Sequence, residues 1–309
     1  MERRAVFFPV IIFVVVLADF VVGGLISNGF IVKVIINEWI LYKCFTANEQ
    51  LLLSLSISNF TITILMLISF FLQNQVNSYT RIQTSFSYSV VVFRSWLTVW
   101  LSVFYCIKIT TSTHFLFLWC KLRISWLIPR LLVGSAIISF VSIYAFRDIL
   151  IPSHSNTTAT NTSMIQEWRL PQLVDSFKVF FLSAGSACPV LMMVLFSTVA
   201  VGSLCRHICR MTGKESRFRN PQTEAHIKAA GTVILLLLFH VSFYMAETIS
   251  LTINIRTKHD IFVVVLTVVY PPAQAAILVL VNPKLKQAAT HILLKISQEQ
   301  TRHTVCSHI

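Results

Sequence analysis

Charge is what this chain has least of. Lys, Arg, Asp and Glu together make 12% of its 309 residues, and only 12 residues are acidic. A soluble domain carries about a quarter charged residues and needs polar side chains at its boundary. With 55% hydrophobic residues and a mean hydropathy of +0.74, a water-soluble fold is excluded. The first apolar run lacks an A-x-A-type cleavage site and carries Asn28 deep in its second half, which is unlike a cleaved signal peptide. Internal repeats, low-complexity tracts and long hydrophilic termini are missing too. The expectation is one domain over residues 1–309 with no external binding module, so a small external ligand must enter the domain itself.

What is present is length in the apolar runs. Crossing the hydrocarbon takes about 20 apolar residues in a helix. Seven runs qualify, near 7–36, 51–73, 87–109, 127–147, 175–204, 229–253 and 261–281, followed by a tail at 282–309. The expected fold is an all-α membrane protein, a bundle of seven transmembrane helices. Lys and Arg divide sixteen to nine between the two sets of loops, and the richer set is cytoplasmic. That puts the N-terminus outside. The sequons Asn156-Thr157-Thr158 and Asn161-Thr162-Ser163 fall in the loop after the fourth helix, external by the same count, so Asn156 and Asn161 are expected glycosylation sites. The net charge of +13 then needs no nucleic acid. It marks a cytoplasmic surface suited to membrane lipid or an acidic partner.

None of the seven cysteines lies in an external loop, which rules out a disulfide from the top of the third helix to the second external loop. Cys205, His207 and Cys209 tempt toward a metal, but i, i+2 and i+4 positions do not converge on a helix. No metal or cofactor is expected. Ser183, Ser186 and His240 are the only nucleophile-and-base candidates, without G-x-S-x-G context, and they read as packing polar groups rather than an enzyme.

Intramembrane ionisable residues are costly and therefore candidates for function. Asp19 in the first helix fits a helix–helix hydrogen bond as well as a binding role, whereas Glu247 lies in the outer third of the sixth helix. Arg94 sits near the outer end of the third run, within snorkelling reach of the interface. Trp96 and Trp100 share one face of that helix, and Phe239, Phe243 and Glu247 form a stripe on the sixth. Two such stripes at one depth suit a small amphipathic organic molecule.

Five motifs carry a resemblance. They are Gly24-x-x-x-Asn28-x-Phe30-Ile31 with Asn37-Glu38-Trp39 following, and Leu101-Ser102-Val103-Phe104-Tyr105-x-x-Lys108-Ile109. The others are Ser203-Leu204-x-x-His207-x-x-x-Met211, Asn220-Pro221-Gln222-Thr223-Glu224-Ala225-His226 and Asn282-Pro283-Lys284-Leu285-Lys286-Gln287-Ala288. In order and spacing, they resemble the bitter taste receptors (taste receptor type 2). The resemblance implies a G-protein-coupled receptor in the plasma membrane that binds small bitter molecules and signals through a gustducin-type heterotrimer. It implies a ligand region at Trp96, Val99, Trp100, Phe243, Glu247 and Val264. It implies a G-protein contact at Lys108, His207, Met211 and His226. Two departures stand out: Asn59 where the family usually has Arg, and Gln274-Ala275 where it usually has His-Ser. Both remove groups expected to lock the resting bundle.

A vomeronasal type-1-like receptor would bring external cysteines that this chain lacks. A transporter would bring inverted repeats and broken helices at matching positions, also lacking.

Overall fold

The computed structural model describes residues 2–72, 78–109, 115–150, 185, 187–199, 201–203, 206, 231, 234, 235, 237–239, 241–243 and 259–306, with side chains over a somewhat smaller set. Among the described residues the regular structure is all helix. In chain order these are α1 (Glu2–Tyr42), α2 (Ala47–Leu72), α3 (Ser78–Ile109) and α4 (Phe115–Leu150), then α5 (Ala187–Ser203). Helical residues between 231 and 243 are called α6 here, and α7 (His259–Val281) and α8 (Pro283–Cys306) complete the order. Lipid offers no hydrogen bonds to the backbone, so a spanning segment must satisfy its N–H and C=O groups internally, and a helix does that. Spans of membrane length occur in α1 to α4, at Val15–Tyr42, Ala47–Ile68, Ser85–Lys108 and Leu118–Ile143.

The turn between α1 and α2 is tight. Lys43 takes a left-handed conformation (φ 53°) and its N–H bonds the Trp39 carbonyl at 2.7 Å, closing α1. Thr46 then starts α2 with a capping box: its N–H donates to Glu49 Oε2 at 2.9 Å, and the Glu49 N–H donates to Thr46 Oγ1 at 3.3 Å. At the other end of the fold, Asn282 separates α7 from α8. Its Oδ1 accepts from the Lys284 N–H at 3.0 Å and from the Leu285 N–H at 3.4 Å, and Pro283 fills the first helical position.

These two corners meet. Lys284 Nζ lies 3.0 Å from Glu38 Oε2 and 2.9 Å from Glu49 Oε1. One lysine therefore ties the start of α8 to the end of α1 and the start of α2, while Leu285 beside it is buried. Hydrogen bonds to Glu49 and Glu38 push the Lys284 ammonium up to about 12. The Asn37-Glu38-Trp39 and Asn282-to-Ala288 motifs are thus two halves of one junction.

The main core is built around α3. Ile31 and Ile35 of α1, Leu51, Leu52 and Leu55 of α2, Leu97, Val99 and Leu101 of α3, Ile128 of α4, and Ala275 and Leu278 of α7 pack into one cluster. The opposite faces of these helices carry exposed apolar side chains such as Ile26, Ile57, Val133 and Phe140. An outward apolar face is what lipid, rather than water, requires.

Candidate functional site

The α3 helix has two working faces, and they address different neighbours. On the first, Tyr88, Val92 and Trp96 recur every four residues and are buried together with Trp100, Ile138 of α4 and Met192 of α5. The Trp96 and Trp100 rings stack with centroids 5.5 Å apart. Trp100 Nε1 donates to Ser135 Oγ at 2.8 Å, and Ser89 Oγ donates to the Ser139 carbonyl at 2.7 Å. Both acceptors belong to α4. The chain at Gly185 also comes close here: a Cβ on it would stand 3.1 Å from Val92 Cγ2. The two tryptophans bind α3 to α4 and α5.

The second face looks to α2, α6 and α7. Val91 packs with Ile62, Phe243 and Tyr270. At the midpoint of α3, Arg94 is 1% exposed, with its guanidinium carbon 4.5 Å from the Phe243 ring and 4.5 Å from the Tyr270 ring. Those rings are themselves 4.5 Å apart at 42°. An arginine at the centre of a membrane helix costs roughly 3 kcal/mol on insertion scales. Two desolvated cation–π contacts at up to about 2 kcal/mol each offset a large part of that. The expectation of a snorkelling Arg94 is corrected: α3 begins at Ser78, so Arg94 lies mid-helix and turns into the bundle. The apolar run 87–109 begins too late to show this, because the nine residues that extend α3 back to Ser78 are largely polar.

Below Arg94 runs a chain of neutral polar groups. Thr98 Oγ1 donates to the Arg94 carbonyl at 2.9 Å. Gln274 Nε2 lies 3.2 Å from Thr98 Oγ1 and 3.3 Å from the Tyr270 hydroxyl, donating to both. Asn59 Nδ2 donates to Gln274 Oε1 at 2.9 Å and to Asn28 Oδ1 at 3.2 Å. Asn28 Nδ2 in turn donates to the Gly24 carbonyl at 2.9 Å and to the Pro271 carbonyl at 3.3 Å. Asn28, Asn59 and Thr98 are 0% exposed and Gln274 is 1% exposed. The set links α1, α2, α3 and α7 where Pro271 and Pro272 interrupt the α7 hydrogen-bond ladder. Gly24 allows that approach, since a Cβ there would meet Pro272 Cδ at 3.3 Å.

The two departures from the family pattern therefore touch. Asn59 and Gln274 are hydrogen-bonded to one another, so they replace one polar connection with another rather than simply removing groups. Nothing in the sequence pairs positions 215 residues apart. Among the described residues a positive charge in this part of the bundle stands on α3, at Arg94, and position 59 of α2 carries the neutral Asn.

The other expected site residues distribute as follows. Val99 is fully buried in the main core, and Phe243 is 4% exposed in the Arg94 cluster. Trp96 and Trp100 face α4 and α5, so the structure brings Phe243 together with Arg94 and Tyr270 and not with the tryptophans. Lys108 is exposed in the last turn of α3. Asp19 is exposed on α1 rather than turned toward a neighbouring helix. Glu247, the Val264 side chain, His207, Met211, His226, Asn156 and Asn161 lie outside the described residues. Among the described residues no cluster of His, Cys, Asp and Glu is placed to hold a metal ion.

Comparison with known proteins matches the described family Taste receptor protein (TAS2R) over residues 5–297. Among curated relatives, taste receptor type 2 member 40 of Gallus gallus is 31% identical over 286 residues, 88% of this chain and 91% of the relative. Taste receptor type 2 member 143 of Rattus norvegicus is 28% identical over 302 residues, covering 91% and 97%. Member 2 of Homo sapiens is 29% identical over 299 residues, covering 94% and 98%.

Proposed function

This chain belongs to the taste receptor protein family TAS2R, and we propose that it detects small amphipathic bitter molecules through the Arg94 junction and passes the signal to a gustducin-type G protein. It is a bitter taste receptor of the G-protein-coupled class, a seven-helix protein that crosses the plasma membrane many times. Receptors of this family bind ligand and couple to G proteins, and the family is not an enzyme class.

The observation that carries the mechanism is the clamp of Arg94 between Phe243 and Tyr270. It makes α3, α6 and α7 share one cation. A ligand moves a bundle only by binding one arrangement better than the other. In this reading the ligand seats in the outer half of the bundle against the Phe243 side of α3, with Glu247 one turn further along the sixth helix and Val264 on α7. Trp96 and Trp100 support this site from the opposite face of α3, where they hold it in register on α4, and Val99 backs it from the main core. Ligand binding separates Phe243 from Arg94 and frees the cytoplasmic end of the sixth helix to swing outward. The opened cleft takes the G-protein α-subunit among Lys108, His207, Met211 and His226. Coupling between two such sites is typically about 1–3 kcal/mol.

The test is expression with a gustducin-chimeric α-subunit and a calcium readout against a panel of bitter compounds. Agonists should be found, Glu247→Ala should shift their potency at unchanged surface expression, and Phe243→Ala should raise signalling without ligand. Unchanged potency and unchanged basal signal in both variants would remove this site from the mechanism.

A further inference from the structure

We infer that the cytoplasmic half of α4 carries a lipid site: Trp119, Arg123, Trp126 and Arg130 form an outward stripe that binds the headgroup of a multiply phosphorylated anionic phospholipid, a phosphoinositide. The four residues are spaced by four, three and four, which places them on one face of a helix. All four are exposed. The same face continues as Val133, Ile137 and Phe140, exposed at 61%, 60% and 61%. Apolar side chains so open inside a membrane span contact acyl chains, so the aromatic–basic half looks onto lipid as well.

Depth and charge select the occupant. The span Leu118–Ile143 takes in the basic residues Lys121, Arg123 and Arg130, whereas the uncharged stretch 131–146 and the apolar run 127–147 both centre within two residues of Ile137. At 1.5 Å per residue, Arg130 lies about 10 Å and Arg123 about 20 Å from that centre. The hydrocarbon half-thickness is about 15 Å, so the Cα atoms of the two arginines bracket the boundary, and the Arg130 guanidinium, drawn one turn back over Trp126, lies toward the headgroups. This end of α4 is cytoplasmic by the Lys/Arg count, and the cytoplasmic leaflet holds the anionic lipids. The Cα atoms of the two arginines are about 10 Å apart along the helix, and each guanidinium lies beside the ring four residues before it, which keeps that spacing. A headgroup with a glycerol-linked phosphate and a second phosphate on its ring can engage both, whereas a singly phosphorylated headgroup engages one.

The tryptophans hold the arginines ready. The Arg130 guanidinium carbon lies 3.2 Å from the Trp126 ring centroid, and its Nη1 donates to the Trp126 carbonyl at 2.8 Å. That bond uses one of five guanidinium N–H donors, so the fork still has donors for phosphate oxygens. The Arg123 guanidinium carbon lies 5.7 Å from the Trp119 ring centroid. A ring beside each guanidinium limits its freedom, which lowers the cost of ordering it on a headgroup.

The whole receptor, reconstituted in nanodiscs of phosphatidylcholine, provides the test. One set is doped with phosphatidylinositol bisphosphate and a second with phosphatidylserine at equal total charge, and native mass spectrometry counts the lipids retained. The intact receptor should retain phosphoinositide in preference to phosphatidylserine. The R123Q and R130Q variants should each lower that retention about fivefold. The double variant with Lys at both positions should keep part of the binding, because the charge remains and the fork is lost. Equal retention of the two lipids overturns the headgroup assignment, and unchanged retention in the double Gln variant overturns the site. If the double Gln variant loses G-protein coupling in pure phosphatidylcholine while its lipid retention is unchanged, the stripe is a protein contact and the inference fails.

Discussion

Arg94 and Arg130 use the same chemistry in opposite surroundings. Each guanidinium lies over aromatic rings, but Arg94 is held inside the bundle by rings from α6 and α7, whereas Arg130 stacks on its own helix and faces outward. A side chain clamped by neighbouring helices reports on how those helices are arranged. One supported by its own helix reports only on the medium outside. In the proposed mechanism Arg94 therefore serves conformational coupling, and in the inferred lipid site Arg130 serves the membrane boundary.

The comparison can be broken most severely at position 59. Asn59→Arg puts a second guanidinium into the network that already adjoins Arg94. An uncompensated buried charge costs about 3–5 kcal/mol, so surface expression and thermal stability should fall steeply. Adding Arg94→Met should recover much of the loss. If the double variant is no better than the single one, the two positions are not coupled in charge. A smaller effect is expected from Gln274→Leu, which leaves Asn59, Thr98 and Tyr270 each short of one hydrogen bond. Polar contacts of this kind inside membranes are worth about 0.6 kcal/mol each, so thermal unfolding in nanodiscs should show a loss of about 1–2 kcal/mol.

Lys284→Met tests the junction outside the hydrocarbon. The lysine is more than half exposed, so solvent screens its pairs and the loss should stay below about 1 kcal/mol. Its folded pKa is raised above the ordinary value of 10.5 to about 12. The stabilisation it gives is then fully present below pH 10.5 and fades as pH rises through about 12. The difference in melting temperature between the two proteins should be flat in the lysine's contribution from pH 6 to 9. A decline in this range as pH rises would contradict the assignment. Smallest of all is the effect of Arg130→Gln on intrinsic stability in neutral lipid, expected within about 0.5 kcal/mol as for other outward-facing substitutions. A loss as large as that of Gln274→Leu would mean that Arg130 supports the fold.

The class of the molecule was open to reading because lipid acts on composition. A chain with so few charges and such long apolar runs has one solvent it can fold in, and the Lys/Arg distribution orients it. Motif residues were legible for the same local reason. Asn282 and Pro283, which open the last motif, cap α8. The facing of α3 was less legible. Spacing by fours shows that Trp96 and Trp100 share a face, but not that the face meets α4 and α5 while Arg94 turns to Phe243 and Tyr270.

By itself, then, the sequence determined the membrane, the direction of crossing and the family, since each depends on composition or on residues close together in the chain. Tertiary structure alone decided that Arg94 is buried, that Asn59 meets Gln274, and that Lys284 joins α1, α2 and α8. Those contacts bring together residues far apart in sequence, and only the packing angles and register of the helices select which of the possible pairs come within bonding distance.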